Sequence, residues 1–438
     1  YKGHTTISSD TVRAAMTDRN DRLYPRRDGI DHYHRYKEDL ALLAGMGFSM
    51  LRVSIAWSRM FPTGAEREPN PKAVAHYRSV FMEMHRLGME PMVTLSHYEM
   101  PLALALTYNG FANRTVMDAF VRYAAACFSS FGDLVRYWLG FNEIDSIFRH
   151  PFTSAGILQT ENNALYAGLH HQLTASALVT KILHESIPNA KMGVMTTILP
   201  AYPRTPDPRD VESALVHNSH NLLCADVLCR GKYPPLWREH LARDGITLPV
   251  LDGDEALLQE HTADYLSFSY YMSLCTAAEP EKYASTAGNT IFGVENPTLP
   301  KSEWGWQIDP LGLKLSLLTL YERYEKPLYI VENGLGAHDT VTEDGKIHDF
   351  YRVNYLEAHI RAMEEAAAAG ADIRGYLAWA PIDCVSAGTG QMSKRYGFVY
   401  VDRADNGSGS LRRIPKDSYL WYRDYIALHS VPGYPPKS

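Results

Sequence analysis

The chain reads Met50-Leu51-Arg52-Val53-Ser54-Ile55-Ala56-Trp57 in a short strand-like run, and a helical periodicity follows over residues 71–87. Six more strand-like runs alternate with helical segments, which is the pattern of βαβ units and a parallel sheet. The six runs lie at residues 91–95, 135–141, 192–198, 265–271, 328–331 and 375–379. The helical segments include residues 116–131, 163–187, 310–324 and 351–369.

The number of strands determines how such a sheet closes. Seven strands with polar carboxyl ends are one fewer than a closed (β/α)8 barrel needs. The eighth should precede a helical segment at residues 33–43, but residues 1–32 are polar and irregular and contain no apolar run. We therefore predict an α/β fold, a (β/α)8 TIM barrel that forms one domain over residues 1–438. Its first strand is either absent from this chain or not recognisable in the sequence.

Composition argues against several classes of protein. The 438 residues are 45% hydrophobic and carry a net charge of -7, so neither nucleic acid nor an anionic membrane is expected as a partner. The five cysteines include no Cys-x-x-Cys pair, which argues against a disulfide framework and a zinc site. Neither a signal-peptide core nor an apolar run of ~18 residues occurs. We predict a cytoplasmic protein, although the initial Tyr1 leaves open a lost N-terminal piece.

Two strand-like runs each place a glutamate at their carboxyl end. One is Ile330-Val331-Glu332-Asn333-Gly334, and the other is Tyr137-Trp138-Leu139-Gly140-Phe141-Asn142-Glu143. A carboxylate in such a place is costly to desolvate unless it is paired, hydrogen-bonded or used in chemistry. Taken alone, Glu332 could be a structural carboxylate paired with an arginine. Together the two glutamates indicate a glycosidase, because displacement at an anomeric carbon needs an attacking carboxylate and a carboxylic acid that protonates the leaving oxygen.

Other polar and aromatic residues fall at the same strand ends. They are Arg52, His97, Asn142, Tyr271 and Trp379. Active sites of (β/α)8 barrels lie at the carboxyl-terminal face of the strands, so these side chains should converge there. A single histidine in such a place is more often a loop or core residue, and a single tryptophan is more often packing. The occurrence of all these residues at strand ends, taken together, favours an active site.

With these residues identified, the chain resembles glycoside hydrolase family 1, the retaining β-glycosidases, over most of its length. Five stretches carry the resemblance: Arg52-Val53-Ser54-Ile55-Ala56-Trp57, Leu95-Ser96-His97-Tyr98-Glu99-Met100-Pro101, Phe141-Asn142-Glu143, Ile330-Val331-Glu332-Asn333-Gly334 and Arg395-Tyr396-Gly397-Phe398-Val399-Tyr400-Val401-Asp402. The resemblance implies that Glu143 is the acid and later the base, and that Glu332 is the nucleophile. It also implies two carboxyl groups ~5–5.5 Å apart.

The resemblance implies roles for the neighbouring residues as well. Asn142 would bind the sugar 2-hydroxyl. His97 and Trp379 would bind the sugar ring and form the surface beneath it. Arg52 and Tyr271 would lie beside the nucleophile and keep it ionised, because a nearby positive charge and hydrogen bonds favour a charged carboxylate. No metal or organic cofactor is implied, since the two carboxylates suffice.

One loop, residues 383–397, departs from ordinary β-glucosidases of the family. Those have a Glu-Trp pair whose carboxylate binds the sugar 4- and 6-hydroxyls, and this chain has Ser386-Ala387 instead. A carboxylate would repel a 6-phosphate, whereas a serine can donate a hydrogen bond and a lysine supplies a charge. Ser386, Lys394 and Tyr396 resemble the phosphate-binding trio of the family's 6-phospho-β-glycosidases. Ala387 favours the gluco configuration, because relatives acting on 6-phosphogalactosides tend to have Trp there.

These residues imply a retaining 6-phospho-β-glucosidase for substrates such as cellobiose 6-phosphate or aryl β-glucoside 6-phosphates. Tyr98, Met100 and Ile144 also resemble that branch, and Trp306 would line the leaving-group side or else be a core residue. Two alternatives stay open, namely an unphosphorylated β-glucosidase and a truncated, inactive binder of sugar phosphates. The second arises because family members open with a strand that carries a substrate-binding glutamine, which this chain does not show. The natural aglycone and the oligomeric state, including a homo-oligomer, stay open.

Overall fold

The computed structural model describes residues 8–17, 24–161, 163–286 and 293–429. Seven parallel strands form one curled sheet in the order of the sequence. They are β1 (Met50–Ser54), β2 (Glu90–Ser96), β3 (Tyr137–Phe141), β4 (Lys191–Thr197), β5 (Tyr265–Ser269), β6 (Leu328–Glu332) and β7 (Ile373–Tyr376). Each strand overlaps one of the seven predicted runs, and the predicted α/β class is confirmed.

The register of the strands brings their carboxyl ends to one face of the sheet. Val53 lies opposite Val93, and Val93 lies opposite Trp138, so neighbouring strands run side by side without a large offset. A parallel sheet covered by helices is apolar on both of its faces, and β5 and β6 are accordingly buried along their whole length. One separate apolar cluster of strand residues consists of Met92, Leu139, Met195, Tyr265, Tyr329 and Val331.

Helices follow the strands and share the main hydrophobic core with them. The longer ones are His32–Gly45 before β1, and then Pro71–Arg86, Arg114–Phe131, Ala164–Ser186, Pro208–Asn221, Pro310–Tyr324, Phe350–Ala368 and Asp417–His429. Shorter ones are Trp57–Met60, Leu102–Tyr108, Pro151–Ala155, Leu223–Arg230, Pro235–Arg243 and Asp254–Glu260. The side chains of Asn70, Asn113 and Asp309 cap helices by accepting backbone N–H groups of the first turn. Within the described ranges, none of the helices combines the length and the apolar character needed to cross a membrane.

The sheet is not closed within the described residues. There β1 pairs with β2 on one side only, and β7 pairs with β6 on one side only. A cavity of about 1110 Å³ lies between these two edges and is lined by both strands, with Tyr137 and Tyr422 among the other residues. We call this place the open seam. Since no strand precedes β1 in the described residues, the open seam is where the unrecognised first strand of the predicted barrel would lie.

The prediction that residues 1–32 are irregular is wrong for the part that the structure describes. Ser9–Thr17 and Pro25–Asp28 are helical there. The first of these helices buries only Val12, and one apolar residue in a polar segment produces no recognisable periodicity. The second is a single turn that begins with proline, whose fixed φ suits the first helical position. Residues 1–7 and 18–23 lie outside the described residues.

Candidate active site

A cleft at the carboxyl-terminal face of the strands contains nearly all of the predicted site residues. Its lining includes His97, Asn142, Glu143, Tyr271, Trp306, Glu332, Trp379, Ser386, Lys394 and Tyr396. Arg52 is the one predicted site residue outside this lining, and it contacts Glu332 directly from β1. Residues that are far apart in the sequence meet here because the ends of parallel strands converge on one face.

Glu332 ends β6 and is almost completely buried, with 4% of its surface exposed. Arg52 Nη1 donates to Glu332 Oε1 at 2.6 Å, and the Tyr271 hydroxyl donates to Oε2 at 2.9 Å. Burial raises the pKa of Glu332 to about 7, and the charge of Glu143 adds to this increase. Arg52 and Tyr271 oppose it, because both stabilise the charged carboxylate.

Arg52 joins three strands through its guanidinium group. Its Nε donates to Thr94 Oγ1 at 2.9 Å, while Nη2 donates to Asn142 Oδ1 at 2.6 Å. The third donor, Nη1, forms the contact with Glu332 described above. These bonds fix the Asn142 amide so that its nitrogen donates to the Tyr98 hydroxyl at 2.9 Å. The predicted sugar-binding amide is therefore held by the same cation that holds the buried carboxylate.

Glu143 follows β3 and has a left-handed backbone, with φ of 38°. Both of its carboxylate oxygens accept hydrogen bonds from side chains. Ser269 Oγ donates to Oε1 at 2.6 Å, and the Tyr98 hydroxyl donates to Oε2 at 3.2 Å. The chain turns from the strand into a short 3-10 helix, Ile144–Phe148, immediately after this glutamate. The turn leaves the carboxylate in the cleft wall.

Aromatic rings form much of the remaining wall. The His97 and Trp379 rings lie 5.8 Å apart at a tilt of 36°. Burial, together with the charge of Arg52, places the pKa of His97 well below its ordinary value, so the imidazole is neutral. Trp306 packs edge-on against Tyr271 with ring centres 5.4 Å apart. It is half-buried and lines the cleft, which differs from the alternative of a purely core tryptophan.

Lys394 has an unusual environment for a lysine. Only 2% of its surface is exposed. Its Nζ lies 4.1 Å from the Trp306 ring centre, 5.2 Å from that of Trp304 and 5.7 Å from that of Tyr396. Cation–π attraction stabilises the ammonium group in this position. Burial nevertheless lowers the pKa of Lys394 to about 8.

Buried ion pairs support the loop that carries Ser386, Lys394 and Tyr396. Arg395 Nη1 donates to Asp383 Oδ2 at 3.0 Å. The other oxygen of Asp383 accepts from Lys416 Nζ at 2.9 Å and from the backbone N–H of residue 397 at 2.8 Å. Both ends of the loop are thereby tied together beneath the cleft. The described residues contain no group of three or more His, Cys, Asp or Glu side chains that could hold a metal ion.

The comparison with known proteins agrees with this geometry. The family model of glycosyl hydrolase family 1 matches residues 5–431. The chain belongs to this family. The aryl-phospho-beta-D-glucosidase BglH of Bacillus subtilis is 48% identical over 434 residues, which cover 98% of this chain and 92% of that protein. The 6-phospho-beta-glucosidase AscB of Escherichia coli is 48% identical over 413 residues, which cover 93% and 87% respectively.

A solved structure of the family has the same architecture. The family 1 β-glucosidase of Thermotoga maritima, in complex with isofagomine lactam, superimposes with a TM-score of 0.81 and is 31% identical. The match covers 91% of this chain and 88% of that one. The predicted (β/α)8 TIM barrel is thus confirmed, and this family 1 chain is a glycoside hydrolase.

Two side chains that donate hydrogen bonds to the Glu143 carboxylate were not among the predicted site residues. Tyr98 directly follows His97 in one of the five stretches that resemble family 1, and its position beside a predicted site residue was an available signal. Ser269 is one of several small polar residues in a predicted strand. Nothing in the sequence distinguishes it, because its contact arises only when β5 lies near the end of β3.

Proposed function

We propose that this family 1 chain is a retaining 6-phospho-β-glucosidase that hydrolyses β-glucoside 6-phosphates. The observation that carries the proposal is the environment of Lys394. Its ammonium group is buried in the cleft wall among aromatic rings, and burial lowers its pKa without an opposing carboxylate among the residues that the structure describes. A buried cation is unfavourable unless an anion compensates it. A phosphate on the substrate would supply that anion.

Two further features support a phosphorylated glucoside. Ser386 and Tyr396 line the same cleft as Lys394, so a hydroxyl group and an aromatic ring accompany the cation. Relatives that are 48% identical are named as enzymes acting on phosphorylated β-glucosides. Ala387, in place of the tryptophan expected for 6-phosphogalactosides, favours the gluco configuration. Cellobiose 6-phosphate and aryl β-glucoside 6-phosphates are the substrates we propose.

The two glutamates carry out the chemistry in two displacements. Glu332 attacks the anomeric carbon while Glu143 protonates the departing glycosidic oxygen, and a covalent glycosyl ester forms on Glu332. Glu143 then removes a proton from water, whose oxygen attacks the same carbon and releases Glu332 as a carboxylate. Each displacement inverts the anomeric centre, so the product retains the β configuration.

The surrounding residues orient the nucleophile and the sugar. Arg52 and Tyr271 stabilise the charged form of Glu332, and their contacts of 2.6 and 2.9 Å support this role. Asn142 holds the sugar 2-hydroxyl, and His97 and Trp379 form the floor under the ring. In addition to its predicted place on the leaving-group side, Trp306 lies against Lys394, so it also supports the phosphate-binding cation.

The proposal extends to the organisation of the protein. Residues 1–438 form one catalytic domain that uses no metal or organic cofactor. Its location is cytoplasmic, because phosphorylated glucosides arise inside cells that couple uptake to phosphorylation.

Hydrolysis of p-nitrophenyl β-glucoside and of its 6-phosphate tests the proposal. The expected kcat/KM for the phosphorylated substrate is roughly 100-fold or more higher than that for the plain glucoside. The reason is that the phosphate gains charge-assisted contacts with the Lys394 ammonium group and the Ser386 hydroxyl. Lys394→Gln should remove most of this preference and spare turnover of the plain glucoside. Turnover of the plain glucoside alone would support the unphosphorylated β-glucosidase. Binding of glucose 6-phosphate without any turnover would support the inactive binder.

A further inference from the structure

A continuous path of hydrogen bonds connects the two carboxylates of the cleft. It runs from Glu332 to Arg52 at 2.6 Å, from Arg52 to Asn142 at 2.6 Å, from Asn142 to the Tyr98 hydroxyl at 2.9 Å, and from Tyr98 to Glu143 at 3.2 Å. The Tyr98 hydroxyl is the last member before Glu143. It accepts one hydrogen bond from an amide and donates its own proton to a carboxylate.

Tyr98 has an unfavourable backbone conformation in this position. Its φ is 82°, in the left-handed region that residues with a side chain rarely adopt. Such conformations persist only where the surrounding structure enforces them, and they concentrate at functional sites. Burial and the charge of Glu143 raise the pKa of Tyr98 well above its ordinary value. The hydroxyl therefore keeps its proton and stays a donor throughout the working pH range.

We propose that Tyr98 is a positioning residue that adjusts the acid-base group Glu143 to the state of the nucleophile Glu332. The inference rests on the roles of the two glutamates in the proposed function. In this role, the Tyr98 hydroxyl contributes differently to the two steps of the reaction.

The coupling follows from the charges along the path. In the free enzyme the positive charge of Arg52 is compensated by the Glu332 carboxylate. When Glu332 becomes a neutral ester, that compensation is lost, and Arg52 polarises Asn142 and Tyr98 more strongly. The Tyr98 hydroxyl then donates more strongly to Glu143 and favours its charged form. This is the form that must remove a proton from water in the second step. No proton leaves Tyr98 at any stage.

A Tyr98→Phe variant preserves the ring and removes only this hydroxyl. With aryl β-glucoside 6-phosphates that have a good leaving group, breakdown of the glycosyl ester limits turnover. We expect kcat on such substrates to fall about 10- to 100-fold, the size of one hydrogen bond to a charged group, and KM to fall with it because the ester accumulates.

Tyr123→Phe is the matched control. The Tyr123 hydroxyl is fully buried outside the cleft lining, and it shares its one proton between the backbone oxygens of Leu95 at 2.7 Å and Ile55 at 3.0 Å. Its loss should lower stability without changing KM or the dependence on the leaving group. If Tyr98→Phe behaved in the same way as this control, the proposal for Tyr98 would be overturned.

The outcome for Tyr98 can be separated from the outcome for the proposed substrate. If the wild type hydrolyses only unphosphorylated glucosides, the phosphate assignment fails and the same comparison is made with those substrates. Infrared spectroscopy of the carboxyl groups, with Glu143→Gln identifying the Glu143 band, provides a readout that needs no turnover. A Glu143 band at the same frequency in the wild type and in Tyr98→Phe would show that the Tyr98 hydroxyl does not act on this carboxyl group and would overturn the proposal.

Discussion

The ionisation of Lys394 limits the pH range in which the proposed substrate is favoured. Burial lowers the pKa of Lys394 to about 8, so the side chain is charged below that pH and loses its charge above it. In the proposed function, only the phosphorylated substrate uses this charge. We therefore expect the ratio of kcat/KM for a β-glucoside 6-phosphate to kcat/KM for the plain glucoside to fall as the pH rises through about 8.

The control for this pH dependence is Lys394→Gln, which has no group to titrate at this position. Its substrate ratio should be low and independent of pH. If the ratio in the wild type stayed constant through pH 8, Lys394 would not be the group that binds phosphate.

Tyr271 affects the opposite limb of the pH profile. Burial raises the pKa of Glu332 to about 7, and the Tyr271 hydroxyl is one of the groups that oppose this increase. In Tyr271→Phe the pKa of Glu332 should therefore rise further. The proposed attack by Glu332 requires its ionised carboxylate. As the pH is lowered, kcat/KM of the variant should therefore begin to fall at a higher pH than that of the wild type, so that the acid limb shifts upward by about one unit.

Tyr270→Phe is the matched control for Tyr271→Phe. The Tyr270 hydroxyl is buried next to the site but donates to the backbone oxygen of Asp309 rather than to Glu332. Its loss should leave the acid limb in place. Equal acid limbs in both variants and the wild type would show that Tyr271 does not stabilise the charged nucleophile.

At the scale of single residues, the sequence predicted those side chains whose own neighbourhood is distinctive. Glu143 and Glu332 could be found because each ends an apolar run. Ser269 could not, because its partner lies 126 positions away and depends on which strands are neighbours. Contacts between the ends of different strands form only in the folded protein, so they are absent from any local pattern of the sequence.

At the scale of elements, the loop of residues 383–397 depends on buried charges. Arg395 and Asp383 are 5% and 0% exposed. Removal of one partner leaves the other charge buried and unpaired, so Arg395→Met should lower the free energy of unfolding by about 3–5 kcal/mol. It should also raise KM for the phosphorylated substrate, because Lys394 and Tyr396 flank Arg395. Urea denaturation and steady-state kinetics measure the two effects.

The exposed pair Arg423–Asp424 provides a comparison for this variant. Exposed ion pairs contribute little, so Arg423→Met should change the free energy of unfolding by less than about 1 kcal/mol. A similarly small effect of Arg395→Met would mean that the buried pairs do not hold the loop.

Most elements were predictable, but the helices Pro208–Asn221, Leu223–Arg230 and Asp417–His429 were missed together with several short elements. The barrel strands and the helices that were predicted have enough residues for a clear period. The paired strands Ala201–Pro203 and Leu274–Thr276 have three residues each, which is too few for any alternation to be recognised. The helix Ser9–Thr17 is longer, but it buries one side chain and shows no apolar face.

At the scale of the whole molecule, the barrel encloses its active site on most sides but has an open seam. The sequence predicted seven strands and an unrecognised first one, and the described residues contain those seven strands in the expected order. Within the described residues, β1 and β7 each pair with one other strand of the sheet, and Arg52 on β1 contacts Glu332 and Asn142. These contacts of Arg52 join the ends of different strands at the site.

The central claim is that a phosphorylated glucoside forms an ester on Glu332. The most direct measurement treats the chain with an activated 2-deoxy-2-fluoro-β-glucoside 6-phosphate, and with its unphosphorylated counterpart, and locates any adduct by peptide mass spectrometry. We predict rapid labelling of Glu332 by the phosphorylated reagent, slow labelling by the other, and none in Glu332→Gln. An adduct on a different residue, or equally rapid labelling by both reagents, would contradict the proposed function.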